Sequence, residues 1–330
     1  MKPATVVYPD NNTDRESLEG MLIAPQGNYS LNQYAEIGLA TGTTTLRQPT
    51  DIARPGSAGY TAALADNAAR GVKLDDGSST NYLTTGKSTA LPYLRLDNPI
   101  RVGAATTFTD NVVLDYRNSA WKFQPTQQLT ADGIAPATFA NTRTTSPENV
   151  GGDVKIASFN VLNYFPTTGD DYIAGGGTCS FYNDRDGNHI TVNTCSGDGP
   201  RGAADDANLD RQQAKIVVAI GALGADIVSL EEIENSAKYA LDRDSAVSTL
   251  VDALNAAAGS EVWAFAASPT NRPSVDSEDV IRKAFIYKTA AVRTVGSSEI
   301  LEDPPSPMRA TRSLRASSPS RLSPARTPSR

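Results

Sequence analysis

A chain of 330 residues, 39% hydrophobic and 20% charged, is long enough for about two domains and can bury a core, which excludes wholesale disorder. Its net charge of −7 argues against a generally basic nucleic-acid binder, two Cys exclude a Cys-rich zinc module, and a single His excludes chemistry that needs two in this chain. There is no run of about 18 apolar residues, so no membrane span and no membrane partner is expected. The opening MKPATVVYPDNNTDRESLEGM lacks the apolar segment of a signal peptide, so none is expected in this chain.

In chain order, residues 1–145 hold short apolar runs separated by turn residues. Gly20–Ala24, Ala35–Ala40, Asn111–Tyr116 and the alternating Ala120–Pro125 predict strands, and Asp75-Asp76-Gly77-Ser78 predicts a turn. One helix is expected over Thr61–Arg70. The class is a small β-barrel or β-sandwich. A polar stretch, Asn141–Gly152, reads as a linker.

The pattern then changes. Val154–Phe159 alternates as a strand that reaches its end at Asn160-Val161-Leu162. Leu209, Gln213, Ile216, Ile220 and Leu223 sit at helical spacing within Asn208–Leu223, with Arg211, Gln212 and Lys215 off that stripe and Gly224 as a stop. Asp226–Leu230 predicts a short buried strand. Val247, Leu250, Val251 and Leu254 mark a second helix closed by Gly259, and Glu261–Ala267 and Ile281–Lys288 two more strands. This β-α-β-α-β-β order predicts an α/β domain over 146–302 in which the strands at 154–160 and 226–232 are parallel neighbours.

That pairing places Asn160 and the run Glu231-Glu232 on one sheet edge, where open α/β sheets hold ligands. A carboxylate beside a side-chain amide suits a hard divalent cation and a phosphate oxygen. Mg²⁺ takes one or two carboxylates and fills its shell with water and substrate phosphate. The plainer alternative is a solvated acidic loop after a strand.

The segment SFNVLNYF at 158–165, followed by ADIVSLEEIEN at 225–235, resembles the endonuclease/exonuclease/phosphatase family, and most closely its secreted bacterial nuclease branch. DANLDRQQAKIVVAIGAL and DVIRKAFIYKTAAV are similar to that branch's next helix and strand, and EGMLIAPQ, LDDGSS, IRVGAATTF and WKFQPT resemble the OB-like region that precedes its nuclease domain. The similarity spans about residues 17–303.

The resemblance implies a β-rich OB-like domain followed by the first half of a two-sheet α/β sandwich, an incomplete one. It implies hydrolysis of DNA or RNA phosphodiesters with Mg²⁺ or Mn²⁺, Glu232 as metal ligand and Asn160 as the amide that helps bind phosphate and orient that carboxylate. Glu231, where the branch often has Met or Gln, is expected to back Glu232 or face solvent. Arg282 and Tyr287 fall on a strand that could reach the site, with sheet packing as the plainer role. An extracellular or periplasmic setting is implied for the parent protein. Alternatives are a non-catalytic module that binds nucleic acid through the β domain and a basic tail, and an enzyme of the same superfamily acting on a small phosphate ester or phospholipid head group.

The family's later motifs, an NHFKS-like His, a GDFNA-like Asp and Asn and a final Asp-His pair, have no counterpart here. The one His, His189, lies in an expected loop where no family motif falls. The family resemblance therefore implies a truncated domain with little or no activity and an apolar sheet face left uncovered.

Residues 303–330 hold six Arg, six Pro and seven Ser and carry +5, so that −7 overall leaves −12 on the rest. Such a tail is expected to be disordered. One back-translation of Pro304–Arg315, read two bases later, gives AFTNARNPLAQ, which resembles the branch's continuation, so the tail is also expected to be out of frame.

Cys179 and Cys195 enclose 15 residues. A disulfide is expected if the protein is exported, and two free thiols otherwise. Asn183–Asn188 reads first as an Asp-Gly hairpin turn and second as a Ca²⁺ loop, for which the closing Glu is missing.

Overall fold

The computed structural model describes residues 8–9, 11–23, 26–31, 36–42, 44–82, 84–86, 88–90, 100–129, 135–184, 186–300 and 321–324. The chain is a mixed α/β protein with several sheets, and it divides into two units, Met1–Thr144 and Thr145–Arg330. Among the described residues no helix is long and apolar enough to cross a membrane.

The first unit contains α1 (Asn12–Glu16), β1 (Leu22–Ile23), β2 (Gln26–Leu31), β3 (Ile37–Ala40), α2 (Pro49–Ile52), α3 (Ala58–Arg70), β4 (Gly71–Leu74), β5 (Thr106–Phe108), β6 (Val112–Arg117), β7 (Ala120–Pro125) and β8 (Ala137–Phe139). Its strands form one sheet in the order β1-β6-β7-β4-β3-β2-β5-β8. β4 and β7 are parallel and the other neighbours are antiparallel. Helix α3 starts earlier than its apolar spacing predicts because the Ser57 side chain caps the Tyr60 N–H.

Strand alternation buries Ile37, Leu39, Val72, Leu74, Val112, Leu114 and Phe123 together. Phe123 meets Tyr8 and Phe108 edge-on at 5.6 and 5.7 Å. Beside this core lies a buried charge cluster. Lys122, 4% exposed, donates to Asp75 at 2.8 Å and pairs with Glu36, which also takes Lys73 at 2.8 Å. Burial opposes the Lys122 charge, but the two carboxylates outweigh it and hold its pKa up. The expected turn at Asp75–Ser78 is held by the aspartates themselves, which accept from the Gly77 and Ser78 N–H at 3.0 and 2.9 Å.

The second unit contains β9 (Ile156–Tyr164), α4 (Gly169–Ala174), β10 (Cys179–Asn183), β11 (His189–Cys195), α5 (Asp206–Leu223), β12 (Ile227–Glu234), α6 (Ser245–Ala258), β13 (Trp263–Phe265), β14 (Ile281–Lys288), β15 (Val292–Val295) and β16 (Arg321–Pro324). Its main sheet runs β13-β14-β12-β9, with β12 parallel to β9 and antiparallel to β14. Helices α5 and α6 cover one face. Ile216, Ile220, Leu250 and Leu254 meet Val228, Leu230, Ala284 and Ile286 there. Both helices end on glycines in the left-handed region, Gly224 (φ 63) and Gly259 (φ 67). On the opposite face alternation sets Ile156, 72% exposed, Ile227, Phe285 and Tyr287 among Ser158, Asn160, Ser229 and Glu231, so apolar and polar residues share it.

Three features depart from the sequence expectations. Asn183–Asn188 is the tip of an antiparallel hairpin, as its Asp-Gly signal predicts, but the arms are strands rather than loop, and His189 begins the second, stacked on Phe181 at 4.1 Å. Gly and Asn obscured the strand pattern, which resides in Phe181, Ile190 and Val192. Within the turn Asp184 accepts from the Asp186 and Asn188 N–H, both at 2.9 Å. That carboxylate thus closes the turn, and the side-chain bond from Asn188 holds its pKa low. Second, β12 runs on to Glu234, two residues past the end expected at Glu232. Third, four tail residues, Arg321–Pro324, are a strand antiparallel to β15 rather than disordered. Edge pairing uses backbone groups and needs no apolar side chains, so the tail's composition does not forbid it. Residues 303–320 and 325–330, on which the out-of-frame reading rests, and the strand ends predicted at Ala24 and Ala35 lie outside the described residues.

Candidate functional site

Strands β9 and β12 stay in parallel register from Ile156↔Ile227 to Asn160↔Glu231, and then both break. Pairing resumes at Tyr164↔Ile233, so three residues of β9 face one of β12. The extra residues adopt left-handed backbone: Leu162 and Asn163 at φ 53 and Glu232 at φ 62. Such positions cost of order 1 kcal/mol or more for a residue with a Cβ, and they persist where the surroundings over-determine them. Here the surroundings are identifiable. Glu232 resets the alternation, so that Leu230 and Ile233, both fully buried, point to the helices on either side of it. On β9, Asn160 Oδ1 accepts from the Leu162 N–H at 2.7 Å, and Gln212 of α5 donates to the Leu162 and Val161 carbonyls at 2.8 and 3.2 Å. Gln212 lies off the apolar stripe of α5, the one sequence signal that it has a separate task.

The break brings Asn160 and Glu231 side by side, with Glu232 next to them. Asn160 is exposed, and the Leu162 bond fixes its amide so that Nδ2 faces no acceptor among the described residues. Glu231 is half-buried and accepts from the Ser158 hydroxyl at 3.1 Å, which ties it to the neighbouring strand. Glu232 is half-buried, and no described residue donates a hydrogen bond to its carboxylate or pairs with it. No group of three His, Cys, Asp or Glu among the described residues is placed to hold a metal. A hard cation such as Mg²⁺ does not require one, because one or two carboxylates with water and phosphate complete its shell. Glu232, with Glu231 beside it, fits that demand.

Behind this edge lies a buried polar network. Glu234, fully buried, accepts from the Thr167 N–H at 2.9 Å and the Ser236 hydroxyl at 2.6 Å, and Ser236 accepts from the Ala246 N–H at the start of α6. Asn235 donates to Glu278 at 2.7 Å and to the Asp279 carbonyl at 3.1 Å. These residues anchor the loop that follows β12 to α6 and to the start of β14. Their signal in the sequence is the polar run Glu234-Asn235-Ser236 after an apolar strand.

Arg282 and Tyr287 do not join the edge. Arg282 is held by Asp244 at 2.8 Å and the Ser268 hydroxyl at 3.0 Å, and burial lowers its pKa against the pull of Asp244. Tyr287 pairs with Ile227, at the far end of β12. Sheet packing and a structural ion pair account for both.

Burial raises the Glu234 pKa above its ordinary 4.5, more than its hydrogen bonds lower it. A raised folded-state value means that this group's stability is fully present below pH ~4.5 and is lost as pH rises through the folded pKa. Glu234→Gln removes the titration. Stability of wild type minus that of Glu234→Gln is therefore expected to fall as pH rises above about 4.5, read from urea unfolding at several pH values. A difference that does not change with pH contradicts the assignment.

No protein-family model, curated protein or solved structure matches this chain.

Proposed function

We propose that the second unit carries the metal- and phosphate-holding edge of a Mg²⁺- or Mn²⁺-dependent phosphodiesterase of the endonuclease/exonuclease/phosphatase type, acting on nucleic acid. The observation that carries this reading is the paired break in β9 and β12. Two parallel strands leave regular geometry at the same level, at a cost in backbone strain, and present an unpartnered carboxylate next to an amide with a free donor. The inference runs from the strained residues to function. The motif pair SFNVLNYF and LEEIEN supports it, as does the helix-backed sheet of β9, β12 and β14.

In this reading Glu232 holds the cation, and the Asn160 Nδ2 donates to a phosphate oxygen. Bound there, the ion would supply charge neutralisation at the phosphate and a more acidic water. Glu231, fixed by Ser158, adds negative charge beside Glu232. The first unit is read as the OB-like domain that precedes the nuclease region. Exposed Tyr116, 5.1 Å from Trp121, supports a surface on which a base can stack. The Cys179–Cys195 disulfide supports an exported setting.

Nothing among the described residues places His189 as a base at this edge, since its ring stacks on Phe181 in the hairpin. A positioned acid or base contributes about 10²–10⁴ in rate, so turnover is expected to be slow by about that factor. In an assay on single- and double-stranded DNA and on RNA, cleavage is expected only with Mg²⁺ or Mn²⁺, to stop with EDTA, and to disappear in Glu232→Ala. Cleavage that survives Glu232→Ala contradicts this role.

A further inference from the structure

A cleft of about 640 Å³ lies between the β9 break, the β10–β11 hairpin and α5. Asn160, Leu162, Tyr182, Arg201, Arg211 and Lys215 are among its lining residues, and no Asp or Glu is. In a chain of net charge −7 this is a local inversion of sign, and a concave wall of low dielectric concentrates such a field. Arg211 and Lys215 are exposed and stand one turn apart on the same side of α5, about 5–6 Å between Cβ atoms. Arg211 donates to Asn208, Arg201 pairs with Asp279 at 3.0 Å, and Lys215 makes no ion pair among the described residues. Across the cleft Tyr182, 60% exposed, presents an aromatic surface on β10.

We infer that this cleft binds single-stranded nucleic acid, with Arg211 and Lys215 on successive phosphates, Tyr182 stacked on a base, and the strand led toward Asn160. The inference rests on the nucleic-acid reading above and narrows it. Cations that track a backbone beside an exposed aromatic are the features of sequence-tolerant single-strand binding. A base within a duplex is already stacked on its neighbours and offers no free face to Tyr182.

The test is fluorescence anisotropy of a labelled oligo-dT with the full chain in EDTA, over a series of salt concentrations. Each phosphate contact in a single strand contributes about 0.7 to the slope of log affinity against log salt. Arg211→Gln/Lys215→Gln is expected to lower that slope by about 1.4, and Lys215→Gln alone by about 0.7. Tyr182→Ala is expected to weaken binding at least about five-fold with the slope unchanged. Since Lys215 has no described partner, its variant retains the fold, which thermal unfolding followed by circular dichroism verifies. An unchanged slope in the double variant overturns the inference, as does binding that is lost only when the tail arginines are changed to Gln. Metal-dependent cleavage is scored separately in Glu232→Ala. Cleft binding that persists without any Glu232-dependent cleavage defeats the catalytic reading alone. Glu232-dependent cleavage without cleft binding defeats this inference alone.

Discussion

Replacing Lys122 with Met is expected to cost about 3–5 kcal/mol of stability in the first unit. Lys122 is 4% exposed, and its ammonium is the shared partner of Asp75 and Glu36, themselves 8% and 10% exposed. Met has nearly the same length and leaves no large cavity, so the loss is electrostatic. Two carboxylates remain close together in a place that water reaches poorly, and the Lys73 pairing at Glu36 does not replace the lost ammonium between them. The effect is larger than that of a surface ion pair, worth about 0–1 kcal/mol, because burial removes the screening that makes such pairs weak. The chain holds two Trp, and Trp121 belongs to this core. Urea unfolding followed by Trp121 fluorescence in a Trp263→Phe background reads the change directly. A loss below about 1 kcal/mol means that water solvates the cluster after all.

Opening the Cys179–Cys195 disulfide is expected to cost the second unit about 3 kcal/mol. The cysteines are register partners at the open end of the β10–β11 hairpin, 16 residues apart in sequence. A two-stranded hairpin is marginal on its own, and this one carries two register shifts. Beyond the staple it is tied in by Val192 N–H to the Gly202 carbonyl at 2.9 Å and Ala204 N–H to the Ile190 carbonyl at 3.1 Å. Cys179→Ser/Cys195→Ser should lower the urea midpoint read by Trp263 fluorescence in a Trp121→Phe background, and should raise amide exchange across β10 and β11. Because Tyr182 and Val192 line the cleft beside Asn160, the same change should loosen that wall. Stability unchanged within about 0.5 kcal/mol would show that the hairpin holds without its staple.

Periodic elements were legible in the sequence, and interrupted ones were not. Helix α5 and its stop at Gly224, the stop of α6 at Gly259 and the extent of β14 follow from apolar spacing and glycine alone. The hairpin's Asp-Gly turn was legible, but its two strands escaped because Gly and Asn interrupt their alternation, and a cross-strand staple replaces part of the apolar burial that would have marked them. The end of β12 escaped for another reason. Regular alternation places Ile233 on the wrong face, and only left-handed backbone at Glu232 returns it to the core. Local propensity gives no warning of such a residue. The candidate site was legible as an edge, since parallel pairing of β9 and β12 puts Asn160 level with Glu231. What the sequence could not reveal is the support. Gln212 locks the β9 break from a helix about 50 residues away, and Glu234 holds the loop from within the core, both by contacts that only the folded chain brings together.

In the proposed function Glu232 is the cation-holding carboxylate at the paired break in β9 and β12. The most direct measurement is a Mn²⁺ titration of the full chain by electron paramagnetic resonance, comparing wild type with Glu232→Ala. The expected result is saturable Mn²⁺ binding by wild type that weakens more than about ten-fold in the variant, at least the loss seen when a ligand's supporting partner is removed. Superimposable titrations, or no saturable binding by wild type, would contradict it.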